Sequence, residues 1–299
     1  CALVCDAALV HKVQMSQSPE PPEIFDRRRR RALRERAARR GDRSFLWDYV
    51  AAECADRLSL VIRDFPKTLI IGPLMHHATA ILANRAGIVE ALTLGQAEVG
   101  RGGAADEDML PFAPGSFDLV LSGGTLDSVN DLPGALVQIR RVLKPDGLFL
   151  GHMFGAGTLA TLKSLMLAAE GDAATPHVHP QIDLRSAADL MARAGFALPV
   201  ADGDTMPVRY GGWRSIVADI RDAGIGNALA GRRHYLGKDM PKRLDTEWRR
   251  RAATYGKVEE RFAHIFLSGW APSTAQPKPA QRGSGEVSLA AILKPTASR

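Results

Sequence analysis

The feature that most constrains this chain is a repeated alternation of short apolar runs with amphipathic segments through its middle. Lys67-Thr68-Leu69-Ile70-Ile71-Gly72 is nearly all apolar and closes on glycine, and Phe117-Asp118-Leu119-Val120-Leu121-Ser122 runs into Gly123-Gly124. Leu148 to Phe154 is a third such run. Strands of this kind, without an in/out alternation, are covered on both faces, as in a parallel sheet. Between the second and third runs, Leu132, Ala135, Leu136, Ile139, Val142 and Leu143 recur at helical spacing. Lys144-Pro145-Asp146-Gly147 reads as the turn that follows. A helix is also expected over Leu74 to Arg85, and a second strand over Ile88 to Leu94. Strand–helix alternation on this scale predicts a doubly wound α/β sheet. Beyond Gly155 the pattern gives helices over Thr158 to Glu170, Arg185 to Ala194, Gly212 to Asp222 and Lys242 to Tyr255. Strands are expected at Phe196 to Val200, Met206 to Tyr210 and Phe262 to Trp270.

The flanks differ in texture. Residues 1–23 end in Ser18-Pro19-Glu20-Pro21-Pro22 and are expected to be disordered. The first residue is Cys1, Met15 is a plausible start, and Ala2–Val10 is too short and too poor in basic flanks for a signal peptide. Ile24 to Arg43 holds ten arginines against three acids, so its charge of +7 exceeds the +6 of all 299 residues. The basicity belongs to one segment and not to a folded face, which argues against specific nucleic-acid binding. The bland reading is a solvated helix; the sharper one is a docking element over Arg27 to Arg40 for an acidic protein partner. From Phe45 to Phe65 an apolar stripe predicts a helix ending before Pro66. The expected units are therefore a helical extension over 24–65, a core over 66–211, a helical insertion with a final strand over 212–272, and an extended tail over 273–299. No apolar run approaches a transmembrane length. Three cysteines make no disulfide framework, Cys54 reads as a small core residue, and a reducing cytoplasmic setting is the expectation.

Four stretches are specific. They are Ala105-Asp106-Glu107-Asp108-Met109-Leu110-Pro111-Phe112, Gly115 to Ser122, Val129-Asn130-Asp131-Leu132-Pro133, and Arg141 to Gly147. Together they resemble the middle of the class I S-adenosylmethionine-dependent methyltransferases. Within these, the chain looks most like the malonyl-carrier-protein methyltransferases of biotin synthesis and the mitochondrial complex I assembly factor described as an arginine hydroxylase. Ile24-Phe25-Asp26-Arg27, Met153-Phe154-Gly155 and Gln281-Arg282-Gly283-Ser284 add to the second likeness. The resemblance runs over most of residues 24–290. It implies a Rossmann-like, mainly parallel, seven-stranded sheet, with S-adenosylmethionine at the carboxyl ends of the strands. It would place Gly72, Asp106, Glu107, Ser122 and Gly123 around that cofactor, Asp106 accepting the adenine amine. Asp118 reads instead as a strand residue bonding to backbone.

The pattern breaks at its usual signature. Where the family carries an acid and three alternate glycines, this chain has Ile70, Gly72, Leu74 and His76, and Pro73 removes a backbone donor. No acid ends the second strand, because Glu90 falls too early. Hydrogen bonds to charged groups are worth about 1.5–3 kcal/mol each, so the two missing acids alone would weaken the cofactor by decades. Adjacent His76 and His77 do not share a helix face, and His177 and His179 lack a third ligand, so no metal is expected. The Pro176 to Pro180 loop is either substrate-facing or simply rigid. No catalytic residue is identifiable. The primary reading is a methyltransferase acting on a small-molecule, carrier-protein or protein acceptor. The alternative is a degenerate assembly factor that binds a protein partner, of the complex I or arginine-hydroxylation type.

Overall fold

In the computed structural model the described residues are 23–41, 44–83, 85–92, 106–171, 176–231, 236–252 and 256–276. Six strands among them form one sheet: β1 (Phe65–Ile71), β2 (Ala86–Leu92), β3 (Phe117–Gly123), β4 (Leu143–Phe154), β5 (Ala197–Tyr210) and β6 (Val258–Trp270). The order is β2-β1-β3-β4-β6-β5. The first four strands are parallel, and β6 runs antiparallel between β4 and β5. This is the Rossmann-like methyltransferase architecture.

Among the described residues the strand count is six and not the expected seven. The two short strands expected around Gly203 are one continuous strand, β5, hydrogen-bonded to β6 from Ala197 to Tyr210. Pro207 does not interrupt it because β5 is an edge strand, where a missing donor is tolerated. The Lys144–Gly147 turn is likewise absorbed into β4, with Asp146 at φ +62 making the bend. Thr93 and Leu94 of the expected second strand, Tyr255 and the Gln281–Ser284 stretch lie outside the described residues.

Helices cover both faces. Ile70, Leu119, Leu121, Leu148 and Leu150 face α2 (Phe45–Ser59), α3 (Ala78–Leu82), α5 (Ala160–Glu170), α7 (Trp213–Ala223) and α8 (Met240–Ala252). Leu69, Ile71, Val120, Phe149 and Met153 face α4 (Leu132–Val142) and α6 (Leu184–Arg193). Neighbouring residues of β1 thus feed opposite cores, as a strand's period of two requires. α2 stops at Ser59, short of the expected end, and Ile62 is fully exposed because Phe65 already enters β1. The expected Leu74–Arg85 helix is a 3₁₀ turn over Pro73–His77 followed by the single turn of α3. α5 is capped by the fully buried Glu260, whose carboxylate accepts the Thr161 and Leu162 N–H groups at 3.1 and 2.7 Å. No helix among the described residues is long and apolar enough to cross a membrane.

The arginine-rich segment forms α1 (Arg27–Arg39), capped by Asp26. Its entry is pinned across the strand ends. Asn130 Oδ1 accepts the Ile24 and Phe25 N–H groups at 2.9 and 2.8 Å, and Asn130 Nδ2 donates to Phe25 O at 3.0 Å. An antiparallel bridge joins Phe25 to Leu229.

One polar pair sits deep in the sheet. His152 Nε2 and His264 Nδ1 lie 2.9 Å apart between β4 and β6, with Trp47, Tyr49 and Phe266 around them. Burial pushes His264 down to about 4 and His152 well below its ordinary range, the neighbouring ring adding to the second effect. Both are neutral when folded, whereas the unfolded chain takes up protons near 6.5. The unfolded state then binds more protons, so stability falls with pH from about 6.5 downwards. The urea midpoint should drop between pH 6.5 and 5. The double substitution His152→Leu with His264→Leu should flatten that slope; an unchanged slope would assign it to other groups.

Candidate functional site

In a doubly wound sheet the ligand crevice opens where strand order reverses, here at the carboxyl ends of β1 and β3. Gly72 ends β1 at φ +92, and a Cβ there would lie 2.5 Å from Gly123 O and 2.6 Å from Thr125 Cγ2. Only glycine fits, so the close turn survives although its companion glycines do not. The space they would leave is filled. Leu74 is fully buried with its side chain against Gly123, at 2.5 Å from where a Cβ would stand. Trp47 covers Gly124 in the same way, at 2.0 Å, and its Nε1 donates to Ala223 O at 3.2 Å. Arg34 lies over the Trp47 ring and donates to Gly124 O. Ser122 is buried, its hydroxyl 3.1 Å from that of Thr125. His76, the other residue in a glycine position, is exposed and does not enter this space.

The acidic residues expected near the adenine meet α1. Asp106 Oδ2 accepts Arg27 Nη1 at 2.7 Å and Arg31 Nη2 at 2.9 Å. Asp108 holds Arg27 in a fork at 2.9 and 2.6 Å. Glu107 has no exposed surface and grips Arg30 with both oxygens, at 2.8 and 2.6 Å. Arg30 completes its set on Ser128 Oγ and Thr125 O. Burial alone would lower the Arg30 guanidinium; the Glu107 carboxylate outweighs it and holds it above the ordinary arginine range. Arg27 is also raised, first by its hydrogen bonds to Asp108. Arg27, Arg30 and Arg31 therefore do not lie on a solvated face, and their acidic partner is this chain's own 106–108 loop. The signal was present in the sequence as complementarity: a +7 segment and three consecutive acids.

The remaining candidates divide cleanly. Glu90 pairs with Lys67 Nζ across β1 and β2 at 2.9 Å. Asp118 accepts the Lys67 N–H at 2.9 Å and Lys144 Nζ at 2.8 Å, a structural role. Cys54 is buried and its thiol is pushed up to about 12 by that burial, so it is a core residue. His77 stands 3.7 Å from Asp48. His177 bonds Glu170 at 2.5 Å. His179 Nε2 accepts the Ala228 N–H at 2.8 Å, and burial lowers its pKa. That hydrogen bond takes the lone pair a metal would need.

The Pro176–Gln181 loop lines a cavity of about 390 Å³ between α5, α7 and α8. Its walls include Phe154, Leu162, Met166, Trp213, Ile220 and Met240, with Asp127 also facing it. Neither α7, α8 nor Asp127 was singled out from sequence as lining a site.

A methyltransferase-domain family model matches residues 81–151. Arginine-hydroxylase NDUFAF5, mitochondrial, from Danio rerio is 34% identical over 293 residues, covering 91% of this chain and 90% of that protein. The chain belongs to this methyltransferase-fold family. The Homo sapiens relative of the same name is 32% identical and covers 93% of this chain and 86% of that protein. Malonyl-[acyl-carrier protein] O-methyltransferase from Laribacter hongkongensis is 31% identical over 175 residues, 58% of this chain and 57% of that enzyme. The long matches are to proteins named as mitochondrial, which overturns the cytoplasmic placement expected from cysteine usage.

Breaking a buried ion pair on one side typically costs about 3–5 kcal/mol, whereas replacing both partners by apolar groups is often neutral. Arg30→Ala should therefore lower the unfolding free energy by about that amount. Arg30→Met with Glu107→Leu should recover most of it. Urea titration measures both, and a loss below about 1 kcal/mol for Arg30→Ala would show that the pair does not fix the helix.

Proposed function

We propose that this chain is an assembly-type protein of the methyltransferase fold, one that receives an arginine side chain of a protein partner and does not use S-adenosylmethionine. The observation that carries this reading is the α1 contact: Arg27, Arg30 and Arg31 already occupy the acids that would hold the adenosyl group. Leu74 takes the volume above Gly123, and Pro73 offers no N–H. Ile70 lies in the core where the family's amino-group acid would stand. With Asp106 and Glu107 engaged by arginines and Gly123 covered by Leu74, the pocket lined by Gly72, Asp106, Glu107, Ser122 and Gly123 does not fit the cofactor. The arginine acceptor is suggested by the relatives, which are arginine hydroxylases by name, and the cavity beside α7 is the space that would receive it.

A second reading, methyl transfer to a small-molecule or carrier-protein acceptor, is favoured by the methyltransferase-domain match and by the glycine turn retained at Gly72. S-adenosylmethionine would supply a reactive methyl group, and the protein's contribution would be alignment of the acceptor. It requires α1 to leave the acidic loop.

Isothermal titration with S-adenosylmethionine and S-adenosylhomocysteine separates the two. The proposal expects a Kd weaker than about 1 mM, less than roughly 4 kcal/mol of binding. Micromolar binding to the intact chain would overturn it in favour of the second reading.

A further inference from the structure

The cavity between α5, α7 and α8 carries one carboxylate among its described lining residues, Asp127, on the short turn after β3. Asp127 Oδ1 is buried, and no donor reaches it. Asp127 as a whole is half-buried and lines the cavity, so its carboxylate, short of donors on the enclosed oxygen, is a polar group that a ligand donor in this space would satisfy.

The neighbouring cations do not fill that role. Arg30 is the nearest buried guanidinium, and its donors go to Glu107, Ser128 Oγ and Thr125 O. Burial lowers His179 against the opposing pull of the Asp127 charge, and its Nε2 already accepts the Ala228 N–H. His177 is bonded to Glu170. Arg221 lines the cavity from an exposed position on α7. A negative charge in mostly apolar walls, with no donor on one oxygen, suits a cation carried on an apolar stem. The rings of Trp213, Phe154 and His179 add flat surfaces, which a planar, weakly hydrated guanidinium uses better than a compact ammonium.

We propose that Asp127 is the specificity-determining residue of this cavity, reading the guanidinium of an inserted arginine side chain while the walls of α5, α7 and α8 take its methylenes. The proposal rests on the reading that the acceptor is a protein arginine. It adds the residue that tells arginine from its neutral look-alikes, and it names a positioning contact only.

The test is binding of the peptide Gly-Gly-Arg-Gly-Gly to the intact chain, compared with the same peptide carrying citrulline, the neutral isostere, or lysine. The arginine peptide should bind about tenfold or more tighter than the citrulline peptide, because citrulline leaves Asp127 unpaired. Asp127→Asn should abolish that preference while leaving citrulline affinity and the melting temperature unchanged. Asp127→Glu should restore part of it. Equal binding of arginine and citrulline, a preference that survives in Asp127→Asn, no binding of the arginine peptide, or lysine binding as well as arginine would each overturn the assignment. The S-adenosylmethionine titration of the intact chain is independent of these outcomes. Cofactor binding together with an intact arginine preference removes the proposed function and keeps Asp127; no cofactor binding with a lost preference does the reverse.

Discussion

The rest of the site depends on the contact between the first turns of α1 and the acidic loop at 106–108. A run of five arginines at the start of a helix is locally unfavourable, since the helix N-terminus already carries partial positive charge. Within that first turn there is no acid, and the capping Asp26 offsets only part of the charge. What makes the helix viable there is tertiary: Asp106, Glu107 and Asp108 stand against Arg27, Arg30 and Arg31, and Glu107 is wholly buried with Arg30. Two charges withdrawn from water in this way must stay together, because either one alone would be stranded. α1, the acidic loop and the turn at Thr125–Ser128 are thereby joined, and Asn130 adds the last clamp at the helix entry.

That contact redistributes the fold's chemistry. The crevice at the ends of β1 and β3 keeps its topology and its one obligatory glycine, but its floor is covered by Leu74 and Trp47 and its acids are engaged. Open volume lies instead beyond Phe154, among α5, α7, α8 and the Pro176–Gln181 loop. The sheet supports this displacement because β6 brings Glu260 to the N-terminus of α5 and fixes the wall of the cavity. The relatives named as arginine hydroxylases match over nearly the whole chain, α1 and the cavity helices included. The match to the malonyl-carrier-protein methyltransferase covers little more than half of it.

Much of the core was legible in the sequence because it obeys short-range periodicity. β3 and α4 fall where the apolar spacing puts them, and Cys54 and Asp118 play the structural roles their neighbourhoods suggest. The misreadings share a cause. β5 looked like two short strands, Phe196 to Val200 and Met206 to Tyr210, because the stretch between them holds two aspartates and Gly203, which an exposed edge strand tolerates. α2 looked longer because the apolar residues past Ser59 continue its spacing while Phe65 belongs to the sheet. The basic segment looked solvated because its acidic partners lie some 75 residues away.

The sequence by itself determined the layered α/β architecture, the family resemblance and the loss of the alternate glycines, since each is a property of residue type and spacing along the chain. Only the tertiary structure decided what became of the vacated turn and of the arginines. Whether a side chain such as Leu74 fills a space, or a cation such as Arg30 finds a buried anion, depends on which distant segments meet. The same holds for Asp127, an ordinary acid in the sequence, which acquires meaning from the apolar helices that fold around it and the donors that do not reach it.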